Sequence, residues 1–276
     1  MTREDAKDGE ERNQNRNEKQ LASPHDLPEL LKKLRAQTPA RLLAGRSGAA
    51  YRTNTQLDLR EAHAAARDAV RAELNLVADL GEDFVRRWNL FEVFSQAASK
   101  DEYLLRPVLG RRLNEPSRAE LINHCAPEQY LQIAIGDGLS VTAIKTQIPR
   151  LLPLLCDGAQ ASGWSLSSIP VIHHCRVGIL NDLGELLKPT VVILLIGERP
   201  GLATAESLSA YMAYRPNASD SDANRNLVSN IHARGVSPEH AAQRILNLAA
   251  LMMKTHESGY RLREEPPTGI APVRLP

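Results

Sequence analysis

Apolar positions along this 276-residue chain change their period near the middle. From Leu27 to about Val93 they recur at three- and four-residue spacing. LPELLKKL is one amphipathic stretch and TQLDLREAHAAARDAVRAEL a longer one, so both predict helices. Between them TPARLLAGRSGAAYRTNT, with two glycines and several hydroxyl residues, predicts a loop. In EYLLRPVLGRRL the periodicity is interrupted at Pro107 and Gly110, and SRAELINHC resumes it.

The second half reads differently. LQIAIGDGLS is an apolar run ending in Gly-Asp-Gly, and VTAIKTQIPRLLPLLCDGAQASG follows as a helix closed by glycine, which makes a strand-helix unit. IPVIHHCRVGIL, NDLGELL and PTVVILLIGE repeat strand, short helix, strand. The last run is continuous Val, Ile and Leu, the composition of a strand covered on both faces. SLSAYMAYRP alternates as one more strand. SPEHAAQRILNLAALMMKTHESG is a terminal helix with Ser237 as cap, Pro238 at its first position and Glu239 near its positive end. The pattern predicts an α/β fold, Rossmann-like, with a mostly parallel sheet flanked by helices and an N-terminal helical arm. The expected organisation is a polar tail over 1–23, the helical arm and connecting loops over 24–115, the α/β domain over 116–262 and a C-terminal tail over 263–276.

Composition narrows the partners. MTREDAKDGEERNQNRNEKQ is too polar to repay the entropy of ordering, which predicts a disordered tail. A formal net charge of +1 provides no long-range field for nucleic acid or a membrane surface. No run approaches the roughly 20 apolar residues of a spanning helix and the amino terminus lacks an apolar signal core, so a cytoplasmic protein is expected. Cys125, Cys156 and Cys175 are odd in number and widely spaced, which fits reduced buried thiols better than disulfides or a metal knuckle.

Ligands of open parallel sheets collect at the carboxyl ends of strands, and two loops here occupy such ends. In GDGLS, Ser140 or Asp137 can cap the following helix, or the loop can touch a ligand through the close backbone approach its glycines allow. Neither GxGxxG nor GxxxxGK[ST] is present. IGERPGL is either a tight turn shaped by Pro200 and Gly201 or a site built on Glu198 and Arg199. If strand alternation continues through the pair, only one of the two faces a given pocket. The same alternation separates His174 from His173 and Cys175, which weighs against a zinc site in HHC. NIHARG resembles the Asp-x-His-x-x-Gly motif that ligates cobalt in some corrinoid proteins, but Asn230 stands where the orienting carboxylate belongs.

The order of these blocks is more specific than any one of them: TPARLLAGRSGAAYRT, EAHAAARDAV, EYLLRPVLGRRL, IAIGDGLSVTAI, RVGILNDLGELL, VVILLIGERPGL, SLSAYMAY and NRNLVSNIHARGVSPEHAA. From about Pro39 to Gly259 the chain resembles the small subunit of ethanolamine ammonia-lyase, an adenosylcobalamin-dependent lyase. The resemblance implies a large TIM-barrel subunit that binds ethanolamine and hosts the radical chemistry, with the small subunit helping to hold the corrinoid at the interface and showing little activity alone. It implies cobalamin contacts at Val177, Glu198 and Leu227, the last standing where the family usually has Cys; Asn224 stands where Asp is usual. Asp137 and Gly138 are further candidates for the floor of the site, and no protein residue is expected to ligate cobalt. The implied assembly is a heterododecamer built from heterodimers, cytoplasmic and in some members within a bacterial microcompartment. Two rival readings carry different expectations. One is a stand-alone nucleotide- or coenzyme-binding enzyme with GDGLS as phosphate loop and Glu198-Arg199 as catalytic pair; the other is an interaction module without a ligand.

Overall fold

The computed structural model describes residues 32–34, 36, 45–201 and 204–262. The expected polar tail, most of LPELLKKL and the C-terminal tail lie outside the described residues. The chain divides into two compact units, Met1–Asp58 and Leu59–Pro276. In the first, β1 (Arg46–Ser47) and β2 (Ala50–Tyr51) form a small antiparallel hairpin inside the segment expected as a loop, with Gly48 at φ +62° in its turn. Helix α1 (Thr53–Arg71) follows, where the Ala and Leu spacing predicts it.

In the second unit, α2 (Leu76–Leu80) and α3 (Glu82–Arg87) lead into β3 (Leu90–Phe94), α4 (Lys100–Leu105), a 3-10 turn at Pro107–Arg111 and α5 (Glu115–His124). The rest runs β4 (Leu131–Gly136), α6 (Val141–Ala161), β5 (Ile169–His173), α7 (Ile179–Leu187), β6 (Val191–Gly197), β7 (Leu208–Tyr214), β8 (Asn226–Ile231) and α8 (Pro238–Thr255). The six-stranded sheet has the order β3-β5-β4-β6-β7-β8. Its first four strands are parallel, while β7 runs antiparallel to β6 and β8 antiparallel to β7. The fold is therefore α/β with a mostly parallel sheet, as expected.

Two strands depart from the expected elements. β3 lies at the end of a stretch whose periodicity reads as helical, and β8 lies in NRNLVSNI, for which no strand is expected. Both are edge strands with one face only partly covered, so their residues alternate weakly and carry little of the apolar signal that marks β4 and β6. Every residue of β4 and β6 is buried. One face of the sheet packs Ile133, Ile135, Ile193 and Leu195 against α6 and α8. The other packs Ala134, Ile172, Val192 and Leu194 against α5 and α7. Pro149 and Pro153 sit inside α6, four residues apart and away from its fully buried stripe, where a lost N–H donor is least costly.

This wiring fixes where a ligand can approach. β4 hands the chain to α6 on one face and β5 hands it to α7 on the other, so a crevice opens between their carboxyl ends. The loops after β4, β5 and β6 meet there.

Candidate functional site

A groove of about 340 Å³ lies at this crevice, and its lining includes Gly138, Val177, Glu198, Arg199, Ser209 and Tyr211. Three of the five predicted contact residues, Gly138, Val177 and Glu198, thus come together from the ends of three different strands. Both Glu198 and Arg199 face it. The alternation that would separate them does not apply, because β6 ends at Gly197. Beyond it, the Gly201 N–H donates to the Thr204 carbonyl at 3.1 Å.

The Glu198 carboxylate is held from three sides. Ser207 Oγ donates to its Oε2 at 2.7 Å. Ser209 Oγ donates to Oε1, and the backbone N–H of Asn230 donates to the same oxygen at 3.0 Å. An ionised carboxylate offers about four acceptor positions, so these three bonds leave one on Oε2 unused. Tyr211 stands on the same sheet face. Burial first, then the neighbouring Glu198 charge, raises its hydroxyl above the ordinary tyrosine range, so it stays protonated and able to donate.

Asp137 lies beneath the groove, not in it: the residue is 0% exposed. Its Oδ2 accepts from Lys100 Nζ at 3.1 Å, itself 5% exposed, and its Oδ1 accepts from the Cys175 N–H at 2.9 Å. Lys100 also donates to the Gly138 carbonyl at 3.3 Å, while Tyr103 donates through its hydroxyl to the Cys175 carbonyl at 2.8 Å. The loops after β4 and β5 are tied together by this buried pair. Gly138 has φ +53°, and a side chain there would run into the Gly197 carbonyl and Ile196. Ser140 caps α6, accepting from the Ala143 N–H at 3.2 Å, and spends its own proton on the Ala205 carbonyl. In GDGLS, Ser140 is thus the helix cap, while Gly138 of the same loop lines the groove.

Leu227 is not part of the groove lining. It lies on β8 directly opposite Tyr211, so the two share a sheet face, and it is 39% exposed. Beside Val177 a second groove of about 410 Å³ adjoins the first, and both are lined by Arg176, Val177 and Arg199.

The remaining sequence candidates have local duties. His173 stacks on Phe94 and meets Glu92 at 2.9 Å, whereas His174 turns left-handed at φ 55° and reaches the Ala97 carbonyl and Glu73. Among the described residues no cluster of His, Cys, Asp and Glu is placed to hold a metal. His232 accepts from the Arg234 N–H at Nδ1, so its proton sits on Nε2 and is donated to Asn230 Oδ1 at 2.8 Å. All three cysteines are free and buried. No helix among the described residues is long and apolar enough to cross a membrane.

Sequence reasoning overlooked Ser207, Ser209 and Tyr211, although their two-residue spacing in SLSAY puts all three on one face of a strand. It also overlooked Arg176 and Lys100. Nothing local marks Lys100, whose partner is 37 residues away.

The model of the family described as Ethanolamine ammonia-lyase light chain (EutC) matches residues 28–263. The ethanolamine ammonia-lyase small subunit of Fusobacterium nucleatum is 42% identical over 231 residues, covering 84% of this chain and 76% of that protein. The small subunit of Clostridium perfringens is 40% identical, covering 83% of this chain and 76% of its own length. That of Clostridium acetobutylicum is 37% identical over 85% of this chain and 95% of its own length. With the family model matched across the described sheet and its crevice, the chain belongs to the ethanolamine ammonia-lyase small-subunit family.

Proposed function

We propose that this chain holds adenosylcobalamin for a large catalytic subunit that converts ethanolamine to acetaldehyde and ammonia. The observation that carries the reading is the meeting of Gly138, Val177 and Glu198 at one strand-end groove, with one acceptor position of the Glu198 carboxylate not taken by the hydrogen bonds that hold it. A corrin ring is rimmed by primary amides, each a two-proton donor suited to a carboxylate fixed in place. The residues fit that group on a second count. Arg176 lines both grooves, and its Nε is buried without a hydrogen-bond partner among the described residues, which supports a role toward a ligand there.

Each part of the chain then has a task. Glu198 orients a corrin amide, and Ser207, Ser209 and the Asn230 N–H keep its carboxylate from swinging away. The backbone beside Val177 and Gly138 forms the wall and floor, set at a fixed separation by Lys100 and Asp137 below. Tyr211 and Leu227 offer an apolar shelf next to it. When bound, the cofactor supplies homolysis of its cobalt–carbon bond and the radical chemistry.

A groove of about 340 Å³ takes an arm of so large a cofactor but not the whole, so the remaining surface lies against another chain. Exposed Leu105 and Val108, on the segment bordering the second groove, suit that contact. Activity of the isolated chain is accordingly expected to be small. The family resemblance extends the reading to heterodimers assembled as a heterododecamer, cytoplasmic or inside a microcompartment.

The test is co-expression with a large subunit, followed by gel filtration and the visible spectrum of retained corrinoid. The wild-type pair should retain it, and Glu198→Ala should lose it while both subunits still co-elute. Full turnover of ethanolamine by the purified chain alone, or undiminished retention by Glu198→Ala, would overturn the proposal.

A further inference from the structure

The two grooves that meet at Val177 are lined by three arginines: Arg111, Arg176 and Arg199. Arg111 is matched, since its guanidinium approaches Asp222 at 3.5 Å. Asp222 is shared with Arg225, so its charge is taken up. Arg176 and Arg199 are different. Neither forms an ion pair within 4.0 Å of a carboxylate among the described residues. The Arg176 guanidinium lies 4.6 Å from the Tyr103 ring centroid, a contact that sets its plane without neutralising its charge. Its Nε is buried and unpartnered. Glu198, the only acid lining the first groove among the described residues, already accepts from two hydroxyls and an amide.

Two uncompensated guanidinium groups on the shared wall of two grooves make a site for a singly charged, multi-oxygen anion. We propose that Arg176 and Arg199 form a subsite for a phosphodiester, and that the phosphodiester is the one in the nucleotide loop of cobalamin. This inference rests on the corrinoid reading above. It adds a division of the surface: Glu198 takes an amide of the ring, while the arginines take the anionic tether that carries the lower base. Glu198 lines the first groove, whereas Arg176 and Arg199 line both, so the anionic tether would lie where the two grooves adjoin. Arg199 is exposed, whereas Arg176 is half-buried with its guanidinium over the Tyr103 ring.

Cobinamide provides the discriminating probe, because it keeps the corrin and its amides but lacks the nucleotide loop and its phosphate. The reconstituted complex with the large subunit is titrated with cobalamin and with cobinamide, and binding is followed by visible absorbance. Wild type should prefer cobalamin. Arg176→Gln and Arg199→Gln should each reduce that preference about tenfold, the loss of one charge-assisted contact, with cobinamide affinity unchanged. Arg199→Lys should recover part of the loss and restore its dependence on salt. Arg199 is exposed, so its variants test the subsite even if Arg176→Gln does not fold. Equal loss for both corrinoids, or no loss for either, would overturn the subsite while leaving the Glu198 reading intact. Loosening of the subunit complex in the absence of corrinoid would also overturn it, since the arginines would then pair with carboxylates of the partner. Failure of wild type to bind either corrinoid would instead refute the underlying cofactor reading.

Discussion

Asn230 sits at φ 60° and points its backbone N–H at Glu198 Oε1, 3.0 Å away, so a left-handed residue on one strand end holds a carboxylate on another. The NIHARG motif makes that conformation. His232 donates to the Asn230 side chain, the Val236 N–H donates to the Asn230 carbonyl at 2.8 Å, and Gly235 leaves room for the carbonyl to be there. A sequence that resembles a cobalt-binding histidine motif is thus used to shape a turn.

The left-handed region costs an ordinary L-residue about 1–2 kcal/mol, is lighter for Asn and free for Gly. Asn230→Val should therefore destabilise the fold by about that amount and weaken corrinoid retention along with it. Asn230→Gly should keep retention near wild type because the backbone donor stays in place. Urea unfolding and retention on gel filtration read the two effects separately, and equal retention by the Val and Gly variants would argue against a role for this amide.

The two serines share a load. Ser207 binds one oxygen of Glu198 and Ser209 the other. Either alanine variant should cost about 1 kcal/mol, since the carboxylate can lean on the remaining hydroxyl. With both removed that relaxation is lost, so the double variant should exceed the sum of the singles by at least about 0.5 kcal/mol. A double-mutant cycle on unfolding free energies measures this, and strict additivity would mean the hydroxyls act independently.

How much of this could be read from residue order depends on whether the information is local. The fully buried runs Leu131–Gly136 and Val191–Gly197 announce parallel strands, and the glycines after them announce a ligand-facing end. An acid directly after such a run marks a strand end, but the residues alone left IGERPGL open between a tight turn and a site, and only the family resemblance singled out Glu198. β3 and β8 could not be read the same way: on a sheet edge the half-exposed alternation of LFEVF and NLVSNI is too short to separate from a helix or a loop. Asp137 was legible as a site candidate, but its burial under the groove depends on Lys100, which reaches it from another element. Long-range charge pairs leave no periodicity.

That buried pair sets a further expectation. Lys100 and Asp137 are 5% and 0% exposed, and the carboxylate also accepts from Cys175 N–H. Lys100→Met removes one charge and strands the other in the interior, which should cost about 3–5 kcal/mol. Lys100→Met combined with Asp137→Asn should cost less than Lys100→Met alone, because the amide carries no charge and can still accept from Cys175. Thermal and urea denaturation of wild type and the two variants decide the order. If the double variant proved the least stable of them, the pair would be a net source of stability and not chiefly a device for spacing two loops.

Gly138 tests the closeness of those loops. Its φ of +53° and the Gly197 carbonyl beside it leave no space for a side chain. Gly138→Ala should push the β4 and β6 ends apart, lowering stability by about 1–3 kcal/mol and loosening the groove that Glu198 borders. Gly163→Ala is the control: its φ is +72° but nothing lies within 4 Å of the added carbon. It should incur only the backbone cost, with corrinoid retention unchanged. Loss of retention in both variants would trace the effect to general destabilisation.

The buried thiols give a pH dependence with a definite sign. Burial pushes Cys125 up to about 11 and Cys156 up to about 12, against an ordinary value of 9.0. Below pH 9 both folded and unfolded chains keep these protons, so the contribution to stability is fully present. Between 9 and 11–12 the unfolded chain releases protons that the folded chain retains, and stability therefore falls as pH rises through that window. Tyrosines and lysines titrate in the same range, so the thiol share has to be isolated by substitution. Cys156→Ser removes a titrating group while keeping a small side chain, and should flatten the alkaline fall in urea midpoint relative to wild type, with no change in slope between pH 6 and 8. An unchanged alkaline slope in the Cys156→Ser and Cys125→Ser variants together would show that the thiols ionise in the folded chain as readily as in the unfolded one.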